Sequence, residues 1–76
     1  MEVVIASDQE RENLFAEIHV QHQPWAEIML NPSTGRFDLS IFPSEPGETM
    51  TFDLREVEKA ISEARAALAA RGYTER

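Results

Sequence analysis

Two histidines, a serine and a glutamate are the residues whose types and spacing could support chemistry. His19 and His22 form a His-x-x-His pair, which lies on one side of a helix but on opposite faces of a strand. The flanking residues alternate as in a strand, so no metal site is predicted. Ser40 and Glu27 are predicted to lie opposite each other, with His19 two strands from Ser40. An uncovered sheet face is too flat to exclude water from such a set, so neither catalysis nor a cofactor is predicted.

Composition limits the function classes further. The chain has 76 residues, no cysteine, and 14 acidic against 7 basic residues, for a net charge of −7. Absence of cysteine excludes disulfides, thiolate nucleophiles and cysteine-based zinc sites. Nucleic-acid binding depends on Lys and Arg that neutralise phosphates, so direct binding is disfavoured and a basic protein partner is easier to accommodate.

The apolar segments are short. None approaches the roughly 20 residues that a membrane-spanning helix requires. Residues 1–5 lack the basic region and the apolar length of a signal peptide. The sequence therefore predicts one small cytoplasmic domain over residues 1–76, without membrane contact.

Alternation of apolar and polar residues from Leu14 onward predicts an antiparallel sheet. The predicted strands cover 14–21, 25–30 and 36–42, and 49–52 is a candidate fourth strand. The residues predicted to face inward are Leu14, Ala16, Ile18, Val20, Ala26, Ile28, Leu30, Phe37, Leu39, Ile41, Met50 and Phe52.

Turn length fixes the predicted register of the last two long strands. The loop 32–35 has four residues, with proline at its start and Gly35 at its end, and it pairs inward residues only with inward residues. The predicted pairs are Leu30 with Phe37, Ile28 with Leu39, and Ala26 with Ile41. Between the first two strands, the same parity requires an odd-length loop or a bulge near Pro24.

The N-terminal segment gives a weaker pattern. Residues 3–5 form either a short edge strand or part of a disordered terminus. Residues 7–13 are wholly polar, and Ser7 with Glu10 matches a capping box, so this stretch is a loop or a single helical turn. Residues 1–13 are together treated as a loosely ordered segment.

A C-terminal helix has start and stop signals in the sequence. Asp53 is a favoured N-cap, and an apolar stripe at spacings of three and four follows it. Gly72 suits the left-handed position after a helix, which would let Tyr73 pack on Leu68. The stripe consists of Leu54, Val57, Ile61, Ala64 and Leu68. The predicted fold is a two-layer α+β domain, an antiparallel three- to four-stranded sheet packed on one C-terminal helix.

The face of the sheet away from this helix is the candidate partner-binding surface. Trp25 and Phe42 are predicted to be direct cross-strand neighbours there, with Met29 and His19 nearby and Phe15 beside them. Exposed aromatic and methionine side chains are typical of protein interfaces. The alternative is that the aromatic pair only stabilises an exposed sheet.

Part of the chain resembles HicB-type antitoxins. The resemblance covers residues 26–68: the strand Gly35-Arg36-Phe37-Asp38-Leu39-Ser40-Ile41-Phe42-Pro43, then Pro46-Gly47, then a helix rich in Glu and Ala. Thr51-Phe52-Asp53 stands where the family has Gly-Asp-Thr before its helix, and the three residues after Tyr73 are too few for a DNA-binding segment, so none is expected there. The resemblance implies an acidic protein that binds and blocks a small basic ribonuclease toxin.

Three functional hypotheses follow. The first is a small acidic, non-enzymatic protein-binding domain of the antitoxin, immunity or inhibitor kind. The second is a self-associating structural domain that forms a homodimer. The third is an acidic mimic of nucleic acid. It ranks lower because the acidic residues are spread over all elements rather than gathered on one face.

Overall fold

A computed structural model describes residues 1–43 and 45–76, so Ser44, within the predicted loop, lies outside the described residues. It confirms the predicted two-layer α+β class. Four antiparallel strands form one sheet in the order β1-β2-β3-β4, and a single helix follows them. The elements are β1 (Glu2–Ala6), β2 (Phe15–Val20), β3 (Gln23–Asn31), β4 (Arg36–Ile41) and α1 (Leu54–Ala69). No helix within the described residues is both long and apolar enough to cross a membrane.

The fourth strand lies at the N-terminus, where the sequence left alternatives open. β1 pairs with β2 and sets Val3 opposite Ile18 and Ile5 opposite Ala16, so apolar residues meet apolar residues on one face. The strand predicted at 49–52 is wrong, because this segment is irregular and joins no ladder.

A two-residue turn connects β2 to β3. Its central residues, Gln21 and His22, have φ values of 51° and 65°, a left-handed conformation that such hairpin turns normally assign to Asn and Gly. The predicted bulge near Pro24 is confirmed, because the register shifts between Ile18 and His19. Ile18 pairs with residue 26 and His19 with residue 24, so Trp25 is the extra residue on β3.

The predicted register of β3 and β4 is confirmed. Leu30 lies opposite Phe37, and the pairs at 28/39 and 26/41 follow in step. The connecting loop closes with a hydrogen bond from the Gly35 N–H to the Asn31 carbonyl oxygen at 2.8 Å. Gly35 has a φ of 73°, so the turn uses the conformational freedom for which a glycine was expected.

Both ends of α1 follow the predicted signals. The Asp53 side chain accepts a hydrogen bond from the Arg55 N–H at 2.8 Å. At the other end, Gly72 has a φ of 91°, and the Tyr73 N–H donates to the Leu68 carbonyl oxygen at 3.0 Å. Tyr73 also packs against the core cluster that contains Leu68, so the predicted glycine C-cap is confirmed.

The core lies between α1 and one face of the sheet, here called the helix face. Its buried cluster consists of Ala16, Ile18, Ile28, Ala60, Ala64 and Leu68. Leu54, predicted to belong to the apolar stripe, is 69% exposed instead. The buried helix positions repeat every four residues at 60, 64 and 68, and this row turns away from residue 54 at the first turn.

Candidate functional site

Segment 7–13 covers part of the outer face, the side of the sheet away from α1. The Arg11 guanidinium lies 4.2 Å above the centre of the Phe15 ring, and Phe15 is only 6% exposed. Asn13 Nδ2 donates to the Leu30 carbonyl oxygen at 3.0 Å and attaches the segment to β3. The expectation that Phe15 is available to a partner is therefore wrong, because the polar segment folds back over it.

Arg11 also holds the one acidic residue that is buried in the described structure. Glu27 is 7% exposed, and both of its carboxylate oxygens accept hydrogen bonds from the Arg11 guanidinium. These hydrogen bonds raise the pKa of Arg11 above its ordinary value, against the opposing effect of desolvation. Glu27 is consequently held by Arg11 in a salt bridge on the outer face.

The other candidate chemical groups are not gathered into one site. His19 Nε2 lies 3.1 Å from Glu17 Oε1 on the same strand, and His22 is exposed in the β2–β3 turn. Ser40 lies opposite Glu27 as predicted, but it is exposed. β3 separates His19 from Ser40, and two strand spacings amount to roughly 10 Å. That distance is too long for a serine–histidine hydrogen bond.

The backbones of Trp25 and Phe42 are cross-strand neighbours, but the two rings do not form the predicted pair. The Phe42 N–H donates to the Trp25 carbonyl oxygen at 2.9 Å. The Trp25 ring instead meets Phe52 edge to face, with 5.1 Å between centroids and 65° between planes. Trp25 packs against the core cluster on the helix face. The bulge accounts for this correction, because an inserted residue re-aims its side chain.

A shallow hollow still brings the two aromatic residues together at one end of the sheet. Its volume is about 250 Å³, and Trp25, Phe42, Met50 and two prolines are among its lining residues. Met29, another predicted contact residue, is half-buried opposite Phe15 on the outer face. The predicted set thus divides between this hollow and the covered outer face.

The free edge of β4 is a site that the sequence did not single out. β4 is the last strand of the sheet. The Phe42 N–H points toward β3, and backbone groups of successive strand residues alternate in direction, so residues 37, 39 and 41 direct theirs to the free edge. The Phe37 N–H confirms this direction, because it donates outward to Glu75 Oε2 at 3.1 Å.

The C-terminal residues cover only the beginning of this edge. The Arg76 N–H donates to the Gly35 carbonyl oxygen at 2.9 Å, and Arg65 Nη2 donates to Glu75 Oε1 at 2.9 Å. Within the described residues, the edge-facing backbone groups of Leu39 and Ile41 have no hydrogen-bond partner.

Leu39 and Ile41, here called the open strip, also have exposed side chains. They lie on the helix face with exposed fractions of 47% and 58%, although the sequence predicted both as inward residues. α1 packs on β1, β2 and part of β3, and within the described residues it makes no close backbone approach to β4. A groove of about 200 Å³ lies between Leu39 of the strip and Ile61 and Arg65 of α1.

The width of a helix explains the open strip. A helix is about 10 Å across with its side chains, and strands are spaced by about 4.8 Å, so one helix covers roughly two strands. A four-stranded sheet under a single helix must therefore leave one side open. The number of strands could have indicated that part of the sheet stays uncovered. The apolar pattern alone does not say at which edge of the sheet this happens.

Comparison with known proteins finds no match for this chain among family models, curated proteins or solved structures.

Proposed function

We propose that this chain is a non-enzymatic protein-binding domain that accepts a strand from its partner at the free edge of β4. The observation that carries the proposal is the coincidence of unpaired backbone groups and half-exposed apolar side chains at Leu39 and Ile41. Strand addition uses this combination, because main-chain hydrogen bonds supply affinity and alternate side chains supply specificity.

The composition of the edge supports the same role. Proteins usually protect exposed edges with charges, inward-pointing polar residues or short strands. Here residues 39–43, Leu-Ser-Ile-Phe-Pro, carry no charge, although the whole chain carries −7. Charged residues on β4 are confined to its first half, at Arg36 and Asp38, so the uncharged second half is a surface suited to being covered.

The acidic charge supports a second candidate, in which the chain itself is of the antitoxin, immunity or inhibitor kind and binds a basic protein. Outside the uncharged edge, the net charge of −7 favours association with a basic protein by steering and complementarity. In this version the hollow beside Trp25 and Phe42 supplies apolar contacts at the end of β4. The pattern resemblance to HicB-type antitoxins over residues 26–68 adds to this candidate.

Site-specific photo-crosslinking tests the contact surface in the cells that make the protein. A photoreactive amino acid replaces Ile41 in one variant and Glu58, an exposed residue of α1, in the matched control. Specific adducts are expected at position 41 and not at position 58, and Leu39→Lys in the same chain should remove them. Equal adducts at both positions, or none at position 41, would refute the proposed surface.

A further inference from the structure

We infer that the occupant of the β4 edge is a second copy of this chain, paired antiparallel about a twofold axis through Ser40. This inference rests on the proposed function, since it names the partner at the same edge. It specifies a register, four hydrogen bonds and a set of facing side chains, each of which can be tested.

The edge-facing backbone groups select this register. With the axis at Ser40, Leu39 and Ile41 of the second copy each donate a backbone N–H to the other's carbonyl oxygen. By symmetry, Ile41 and Leu39 of the second copy form the same two hydrogen bonds. The ladder then has four hydrogen bonds and uses the groups that the described structure leaves unpaired at residues 39 and 41.

The ends of the ladder agree with the same register. The next pair would join Phe37 to Pro43 of the second copy. Phe37 already donates its N–H to Glu75, and proline has no N–H to donate. The ladder therefore ends at this pair, because the Phe37 N–H is already used and Pro43 has no N–H.

Side chains also match across this axis. On the helix face, each Leu39 meets an Ile41, so the half-exposed side chains of both copies cover one another. On the outer face, Ser40 meets itself and Asp38 meets Phe42, so no like charges lie opposite. An axis at Asp38 would instead place two carboxylates directly opposite, which destabilises a strand pair.

Net charge opposes a second copy, the uncharged contact limits this repulsion, and the contact area indicates how strong the dimer should be. Two chains of charge −7 repel each other, but residues 39–43 form an uncharged contact. A stable interface removes about 800 Å² from each partner, about one seventh of this chain's 5661 Å². A single strand with a narrow apolar strip buries less than this area, as weak and transient interfaces do. The dimer should therefore form at micromolar concentrations or above.

Single-cysteine variants test the register, because the chain has no native cysteine. Facing residues of a non-hydrogen-bonded pair have Cα atoms about 4.5 Å apart, within disulfide range, so Ser40→Cys should cross-link to itself. Asp38→Cys is the matched control on the same face. The two cysteines at position 38 would lie about 14 Å apart along the strand. Their disulfide should therefore form at least about tenfold more slowly than the one at position 40.

Sedimentation of the unmodified chain over a concentration series gives the second measurement. A reversible monomer–dimer equilibrium is expected, and Ile41→Lys should abolish it. Leu54→Lys, which alters an exposed leucine on α1, should leave it unchanged, and circular dichroism checks the fold of both variants.

A chain that stays monomeric throughout, or equal disulfide rates at positions 38 and 40, would overturn the inference. Adducts at position 41 with a different protein, combined with a monomeric chain, would overturn the second copy while leaving the proposed strand addition intact. The absence of any adduct at position 41 would count against both.

Discussion

The two edge strands of the sheet differ in how they are protected. β1 lies under α1, and its apolar residues Val3 and Ile5 pack against the core cluster. A second hollow, next to Met1, is bordered by three charged residues of α1, Glu56, Lys59 and Glu63, so charged groups surround that side. β4 has neither helix nor charge over its second half.

This difference divides stability from binding. Between α1 and the β1–β2 half, Ala64 and Leu68 are fully buried against Ile18. In the β3–β4 half, Leu39 and Ile41 retain about half of their exposure. Since apolar burial stabilises in proportion to area, the β1–β2 half together with Ile28 of β3 holds the fold together, and β4 leaves surface that a partner can bury.

Truncation of matched leucines tests this division with the largest expected effect. Leu68→Ala should lower the free energy of unfolding by about 2–5 kcal/mol, because it opens a cavity in the closed half. Leu39→Ala should lower it by less than about 1 kcal/mol in dilute, monomeric protein, because much of that side chain already contacts water. Urea denaturation measures both values.

Comparable losses for the two variants would show that β4 is as well packed as the β1–β2 half. The comparison requires concentrations below the dimer range, since association would add stability to the parent chain and not to the Leu39 variant.

Sequence patterns predicted what depends on local geometry. The register of β3 and β4 follows from a four-residue loop closed by Gly35, and the ends of α1 follow from Asp53 and Gly72. Each of these rests on steric preferences of a few neighbouring residues, so a single sequence suffices.

Features that depend on distant contacts were not predictable. Arg11 contacts Glu27, which lies 16 positions away in the chain, and its guanidinium also lies over the Phe15 ring. Polar segment 7–13 gives no sign of either contact. The turn at Gln21 and His22 adopts a left-handed conformation without a glycine or asparagine to indicate it. The position of α1 across the sheet depends on which strands its side chains pack against. The apolar periodicity of the sequence specifies only which face of the sheet is covered.

The turn leading into β4 should show an intermediate effect. Gly35 has a φ of 73°, and a Cβ built there would lie 2.7 Å from Arg76 Cδ. Gly35→Ala should therefore lower the free energy of unfolding by about 1–2 kcal/mol through backbone strain. The same substitution in a chain lacking Arg76 separates strain from the steric contact.

If removal of Arg76 restores full stability, the clash rather than the backbone conformation dominates. If the loss remains, the left-handed conformation is responsible, and the C-terminal residues can move from the β4 edge without affecting the turn.

Salt dependence should give the smallest effect and distinguish the two classes of partner. Raising the salt concentration from about 0.05 M to about 0.5 M shortens the Debye length below about 5 Å and screens the repulsion between two chains of charge −7. The homodimer should therefore tighten by a few-fold, whereas binding to a basic protein should weaken over the same range. Sedimentation at both salt concentrations measures the change. Dimerisation that weakens with salt would mean that opposite charges hold the copies together, and the uncharged residues 39–43 could not then form the main contact.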